Sequence, residues 1–403
     1  MKGMEGTQMK QIRMAVTFFF VLVVFGSFFA GFATSPADAA EAIKVGWFGE
    51  LTGSLAGVGK DSLNSVRLYL DSVGSTVSGR KIELLTEDTE GKPDVGLTKV
   101  RKLVEKDNVQ VLIGPCGSGV ALAVRDYIVE KKIPWLLGCV AAITKLTQEA
   151  KSPYIFRISF AEPQFVLPLV PYLSKKYRKI SVVASDYASG HDLAERLAKM
   201  FTEKGGQIVQ TIFIPLGTAD MAPYLARIRP QDADAVWAFF AGADAIRFVK
   251  QYNEFGLKDR LPLTSGGALT SEDVLPAQGD AALGVVTTFH YVSTIDNPEN
   301  KKFVGAYKAK YGTEPAYGGE AGYVAARLLV DSLKSIGGAI EQTDRFLNAM
   351  KKANITAPRG PFKFDENQNP IMNAYILRVE KVGGKLQNTV IETIPNVGQY
   401  WTP

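Results

Sequence analysis

From about residue 41 onward, short apolar runs alternate with amphipathic stretches, a pattern typical of buried strands separated by surface helices. Strands that alternate with helices pair in parallel through right-handed crossovers, so the pattern predicts doubly wound α/β sheets. The predicted strands cover 43–48, 81–85, 110–113, 133–137, 154–158, 179–184, 207–214, 235–240, 261–264, 360–364 and 374–381. The predicted helices cover 62–73, 97–107, 119–131, 144–149, 163–177, 190–204, 221–229, 242–255, 298–311, 318–336 and 341–352.

A second strand–helix series begins near Tyr154, which predicts two α/β lobes instead of one. The helical block after the second series fits best as a return to the first lobe, and the last strand then crosses back. We therefore predict a first lobe of 40–158 plus 293–372 and a second lobe of 159–292 plus 373–403. Several crossings would make a hinge, with a ligand in the cleft between the lobes.

The N-terminus has the features of a signal peptide over residues 1–39. Basic residues precede an apolar run over 14–33, and Ala37 and Ala39 provide small residues at the spacing that signal peptidase requires. Cleavage near Ala39–Ala40 would release the chain into the periplasm. The alternative is a retained anchor helix, because the apolar run approaches the length of a membrane span.

Composition excludes several classes of function. The 403 residues carry a formal net charge of only +5 and show no basic run, so we expect no nucleic-acid partner. Both histidines, His191 and His290, lack the spacing of a zinc or acyl-transfer motif. We predict no catalytic residue, metal site or cofactor. Cys116 and Cys139 follow strands that we predict to be neighbours in one sheet, which leaves two interpretations: a disulfide or two buried thiols.

The segment 111–120 is the first candidate for a binding loop. A buried strand leads through Gly117, Ser118 and Gly119 onto a helix N-terminus, where unpaired N–H groups and the helix dipole favour an anion. The next loop of the same lobe adds the N–H groups of Ala141 and Ala142. The alternative is a tight turn in which the glycines have only a steric role.

The corresponding loops of the second lobe offer aromatic side chains. Tyr187, Phe239 and Phe240 lie in or beside them and could form the apolar wall of a small-molecule pocket. Adjacent residues of a strand face opposite ways, so one of the two phenylalanines belongs in the core. Core packing is the alternative for each of the three.

Several segments together resemble the type I periplasmic solute-binding proteins of ATP-binding-cassette (ABC) importers, in the branch that binds leucine, isoleucine and valine. These are Ile43-Lys-Val-Gly with Leu51-Thr-Gly-Ser, Glu87-Asp88, Ile113-Gly-Pro-x-Gly-Ser, Asp186-Tyr-Ala-x-Gly190 and Phe240-Ala-Gly-Ala-Asp244. The resemblance covers about residues 41–400. It implies two three-layer lobes, a three-strand hinge, closure on a ligand and delivery of that ligand to a membrane permease. We expect a monomer.

The resemblance places the ligand carboxylate at Ser118, Ala141 and Ala142, but it also shows departures from the family pattern. The acidic residue that usually pairs with the ligand ammonium aligns with Gly266 or Gly267. Ala142, Val58 and Ala241 stand where the family often has a threonine, a tyrosine and an aromatic residue.

Glu50 or Asp186 could replace the missing ammonium partner, with helix capping or solvation as their alternative. The segment Tyr187 to Asp192 resembles relatives that bind aromatic or other non-amino carboxylates. Two ligand classes therefore stay open: a branched-chain or other aliphatic amino acid, and an aromatic or branched carboxylic acid without an amine. An exported sensor domain and, less favoured, a hydrolase on the same scaffold are the competing functions.

Overall fold

The structure is a computed structural model and describes residues 41–402. The signal peptide predicted over residues 1–39 lies outside the described residues. The strands are β1 Ile43–Gly49, β2 Thr76–Val77, β3 Arg80–Asp88, β4 Val111–Ile113, β5 Trp135–Leu137, β6 Ile155–Arg157, β7 Lys179–Asp186, β8 Gln207–Pro215, β9 Ala235–Phe239, β10 Leu263–Gly266, β11 Val286–Phe289, β12 Asn354–Ala357, β13 Gly360–Phe364, β14 Pro370–Val382 and β15 Lys385–Val397. The α-helices are α1 Ala56–Ser72, α2 Pro93–Arg101, α3 Ser118–Glu130, α4 Val170–Lys176, α5 Ala188–Glu203, α6 Ala222–Leu225, α7 Gly242–Glu254, α8 Leu275–Gln278, α9 Pro298–Tyr311, α10 Tyr317–Ser335 and α11 Thr343–Lys351.

The first sheet has the strand order β2-β3-β1-β4-β5-β6 and is parallel except for the short β2–β3 pair. Its central strands are apolar and fully buried, as expected for a parallel sheet covered by helices on both faces. The carboxyl ends of β1, β4 and β5 meet at one edge of this sheet. The loops that follow these three strands therefore lie together.

The second sheet has the order β12-β13-β14-β11-β10-β9-β7-β8, with β15 paired to β14. The strands β7 to β11 are parallel to one another, and β14 joins β11 in antiparallel orientation. The two sheets confirm the prediction of two α/β lobes.

The boundaries of the lobes stay a prediction, because β12 and β13 connect both halves. They hydrogen-bond into the second sheet, yet Ala357 and Phe362 pack in the apolar core built on β1 and α10. Among residues 41–402, no helix combines the length and apolarity needed to cross a bilayer.

Several segments differ from the predicted elements, two of them for reasons of backbone chemistry. The helix predicted over 163–177 is instead two 3₁₀ turns followed by α4, because Pro163, Pro168 and Pro171 remove backbone donors from a continuous helix. The strand β15 was not predicted from the sequence. It pairs along one edge of β14, and its mixture of polar residues with Pro395 is typical of edge strands.

A buried ion pair connects the segments that cross between the lobes. Arg359, in the turn between β12 and β13, donates to the carboxylate of Glu320 on α10, and neither side chain is exposed. The same guanidinium donates to the carbonyl oxygens of Ile158 and Ser159, which follow β6. The backbone oxygen of Arg359 accepts from the hydroxyl of Tyr375 on β14 at 2.6 Å. One arginine thus holds two crossing segments against α10.

We expect Arg359→Met to lower the free energy of unfolding by about 3–5 kcal/mol, because it leaves the Glu320 carboxylate buried without its partner. The measurement is urea unfolding followed by circular dichroism. Asp192→Asn is the control, since Asp192 pairs with Arg196 at the surface, where the two side chains are 38% and 40% exposed. The control should cost less than about 1 kcal/mol. Equal losses in the two variants would contradict the structural role of the buried pair.

Candidate functional site

The carboxylate of Glu50 accepts the first backbone N–H groups of the predicted anion-binding loop, which lies in the segment 111–120. Its carboxylate accepts the N–H groups of Cys116 and Gly117, each at 3.0 Å, and the residue is only 1% exposed. Burial raises the pKa of Glu50, while the two backbone donors act in the opposite direction. Glu50 therefore holds the loop after β1 against the loop after β4, and it does not extend into the cleft as a free ammonium partner.

Ser118 and Gly119 follow these donors and begin helix α3, whose first-turn N–H groups have no acceptor within the helix. The Ser118 hydroxyl accepts from the N–H of Ile143 at 3.4 Å, which joins this loop to the loop after β5. The carbonyl oxygen of Ala142 accepts from the N–H of Glu162 at 3.0 Å. The structure thus brings Ser118, Ala141 and Ala142 to one edge of the first sheet, as the sequence predicted.

A disulfide joins the same two loops. Cys116 and Cys139 are bonded, with their Cα atoms 4.7 Å apart, so the structure favours the bridge over two buried thiols. Both half-cystines are buried in an apolar cluster that also contains Val58 and Ala142. The bridge therefore lies at the predicted carboxylate end of the site.

Aromatic side chains from both predicted lobes pack in the same apolar cluster as the disulfide and Ala142. Phe289, at the end of β11, lies 4.9 Å from the ring of Tyr317, the first residue of α10. Phe165 lies 6.1 Å from Phe289 and 5.9 Å from Phe239. Phe160, on the segment after β6, is 5.5 Å from Phe289. We call Phe160, Phe165, Phe239, Phe289 and Tyr317 the aromatic cluster.

The structure corrects the assignment of Phe240. This side chain is 1% exposed and stacks on Phe248 in the core of the second lobe, with ring centroids 4.4 Å apart. Its neighbour Phe239 faces the aromatic cluster instead, because the side chains of a strand alternate between its two faces. Tyr187 lies 6.3 Å from Phe239 in a stacked arrangement and keeps 36% of its surface exposed.

Asp186 has an ion-pair partner on its own helix–loop segment and is not buried. It pairs with His191 at 2.7 Å, and both side chains are about half exposed. In contrast, Gly266 and Gly267 lie under the aromatic cluster. A Cβ atom on Gly266 would come within 2.8 Å of the Phe165 ring, and one on Gly267 within 2.3 Å of Phe289. The aromatic rings therefore occupy the space that an acidic side chain would need.

Glu162 and Arg157 were not predicted as site residues from the sequence. Both lie in the segment that crosses between the lobes, whereas the predicted residues lie in loops that follow sheet strands at the cleft. Glu162 is 6% exposed and accepts from the hydroxyl of Ser189 at 2.6 Å. Arg157 ends β6 and is fully buried. A charged residue directly after an apolar run was the signal available for Arg157.

A cavity of about 510 Å³ lies beside the predicted site and contains none of the ten predicted binding residues. It meets the site at Val58, next to the disulfide, and at Tyr317 of the aromatic cluster. Half-buried Asp61 and Glu272 line it, and burial raises the pKa of each to about 7. Asp61 also accepts N–H groups at the start of α10, which gives it a structural role.

Two α/β lobes with crossing segments between them, and with donors and aromatic rings meeting at the crossing, define a bilobal binding protein. A model of the periplasmic binding protein family matches residues 42–385. The Leu/Ile/Val-binding protein homolog 6 of Brucella melitensis is 32% identical over 372 residues, covering 90% of this chain and 94% of that protein.

Two solved structures of ABC transporter solute-binding proteins are similar over most of their length. The protein from R. palustris, in complex with benzoate, is 32% identical with a TM-score of 0.82, covering 89% of this chain and 98% of that one. The protein from Rhodopseudomonas palustris BisB5, in complex with 3,4-dihydroxybenzoic acid, is 34% identical with a TM-score of 0.83, covering 88% and 98%.

The chain therefore belongs to the periplasmic binding protein family. It is a substrate-binding protein of the ABC transporter type, so it binds a small molecule, acts outside the cytoplasm and is not an enzyme. The resemblance found in the sequence is confirmed.

Reduction of the disulfide should lower the free energy of unfolding by about 2–4 kcal/mol, because the bridge restricts the unfolded chain. The measurement is urea unfolding of the wild type with and without a dithiol reductant. A Cys116→Ala, Cys139→Ala double variant is the matched control and should not respond to the reductant. An unchanged midpoint for the reduced wild type would show that the bridge is dispensable for stability.

Proposed function

We propose that this protein captures an aromatic monocarboxylate of the benzoate type and delivers it to the permease of an ABC importer. The carboxylate is held by the Ser118 hydroxyl and the N–H groups at the start of α3 and at Ala142. The ring lies against Phe239 and Tyr187. Lobe closure follows because these contacts come from both lobes, and only such contacts distinguish the closed form from the open one.

The packing around Gly266 and Gly267 is the observation that favours a ligand without an ammonium group. Aromatic rings lie within 3 Å of the positions where a side chain on either glycine would begin, so the acidic ammonium partner of amino-acid binders has no place there. The benzoate and dihydroxybenzoate complexes of the two similar structures support the same class.

A branched-chain amino acid is the second candidate. Glu162 favours it, because this buried carboxylate lies next to Ala142 and could pair with an ammonium group. The name of the Brucella melitensis relative agrees with that candidate.

Calorimetric titration of the wild type with benzoate and with leucine separates the two candidates. We expect benzoate to bind and Ser118→Ala to weaken it about tenfold to a hundredfold, since a hydrogen bond to a charged group is lost. Ser72→Ala, at the exposed end of α1, is the control and should leave the affinity unchanged. Tight binding of leucine without binding of benzoate would overturn the aromatic ligand.

Tyr187→Ala extends the same titration to closure. It should weaken binding and also reduce the ligand-dependent compaction seen by small-angle X-ray scattering, because Tyr187 belongs to the second lobe. Tyr400→Ala is the control, since Tyr400 is 61% exposed.

We further propose that the protein is a periplasmic monomer and that residues 1–39 are its signal peptide. The lobes are 40–158 plus 293–372 and 159–292 plus 373–403. The intact mass of the exported protein should correspond to a chain that begins near Ala40. A mass that includes residues 14–33 would support the anchor helix instead.

A further inference from the structure

Arg157 is a buried cation that hydrogen-bonds to neutral groups. It donates to the carbonyl oxygens of Ala141, Ile143 and Phe160, and to the hydroxyl of Thr147 at 3.4 Å. Within residues 41–402, no carboxylate accepts a hydrogen bond from it, and its Nε–H is buried without a partner. Arg359, which is also fully buried, is paired directly with Glu320.

Arg157 keeps its charge at neutral pH. Burial lowers its pKa to about 10, and the acidic groups of Glu162 and Asp365 act on it only through space. A buried charge without a direct ion-pair partner is costly, even where carboxylates act on it from a distance. An anion bound nearby would therefore be stabilised by Arg157.

The hydrogen bonds of Arg157 also fix the direction of the loop after β5. In a trans peptide the N–H points opposite to the preceding carbonyl, so the N–H of Ala142 is directed away from Arg157 when the oxygen of Ala141 is bound to it. The next N–H, that of Ile143, donates to Ser118. Arg157 thus binds carbonyl oxygens of the loop 141–143 on one side of the loop. The backbone N–H groups of Ala142 and Ile143 are left on the other side, which is the side of Ser118.

We propose that Arg157 is the positioning residue of the carboxylate site, which it serves both by orienting the loop 141–143 and by its positive charge. The inference rests on the proposed function, because it requires a ligand with a carboxylate. It assigns the preference for an anion to a residue that does not touch the ligand. The expected signature is therefore a selective loss of anion affinity.

The test compares benzoate with benzamide, a neutral molecule of nearly the same shape, by calorimetric titration or by competition. In Arg157→Met we expect the ratio of benzoate to benzamide affinity to fall about tenfold or more, because a nearby positive charge is lost. Arg157→Lys keeps the charge and should restore a large part of the ratio. Arg125→Met is the matched control, since Arg125 also donates to a carbonyl oxygen, that of Ala150, but lies seven residues after Ser118 along α3 and makes no hydrogen bond to the loop 141–143 among the described residues.

The outcomes of these titrations support or overturn the proposal. A folded Arg157→Met that loses benzoate and benzamide affinity equally would overturn the electrostatic role, as would unchanged affinity for both. If Arg157→Met does not fold, Arg157→Gln takes its place, because it also removes the charge but keeps a hydrogen-bond donor. A fall in the ratio of benzoate to benzamide affinity in Arg157→Gln supports the electrostatic role, and an unchanged ratio overturns it. If the wild type binds leucine and not benzoate, the proposed ligand fails, and the same variants are compared with leucine and leucinamide.

Discussion

The pairing of Arg359 with Glu320 is the interaction on which the arrangement of the lobes depends. Both charges are fully buried, so neither can be solvated if the other moves away. The guanidinium of Arg359 also donates to the segment after β6, and the backbone oxygen of Arg359 accepts from Tyr375 on β14. Displacement of the turn at Arg359 would therefore disturb two crossing segments together. Burial, together with the charge of Arg359, keeps the pKa of His290, on the crossing after β11, well below the usual range. The ion pair of Arg359 with Glu320 thus holds the centre of the hinge, and apolar packing holds the rest of the hinge.

The candidate site lies directly beside this ion pair, so some of its residues come from the crossing segments and from the helix that carries Glu320. Phe160 and Phe289 belong to crossing segments, and Tyr317 begins the helix that carries Glu320. The ring of His290 packs 4.7 Å from both Phe160 and Phe289, so the hinge and the aromatic cluster are one packed unit. A ligand that changes the packing of the cluster acts on the hinge without an intermediate element. This proximity is the physical basis for coupling between binding and closure.

The sequence predicted most of the fold, because buried parallel strands are continuous apolar runs that are easily recognised. It predicted the two convergent loops for the same reason, since the loops after neighbouring parallel strands meet at one edge. It could not decide between Phe239 and Phe240, because a shift of one residue changes the face of a strand. The partner of Glu50 was also beyond prediction: the amides of Cys116 and Gly117 are 66 and 67 residues away in the chain. Contacts of this range depend on the assembled sheet and not on local pattern.

Two buried charges at the candidate site, Glu50 and Arg157, have different kinds of partners, and this contrast supports the proposed anionic ligand. Glu50 is a buried negative charge whose two oxygens are bound by backbone donors within the protein. Arg157 is a buried positive charge whose hydrogen-bond partners are all neutral. The glycines at 266 and 267 remove the usual negative partner of an ammonium group, and aromatic rings fill that space. The proposed ligand carboxylate at Ser118 and Ala142 would place a further negative charge near Arg157, on which Glu162 and Asp365 act only through space.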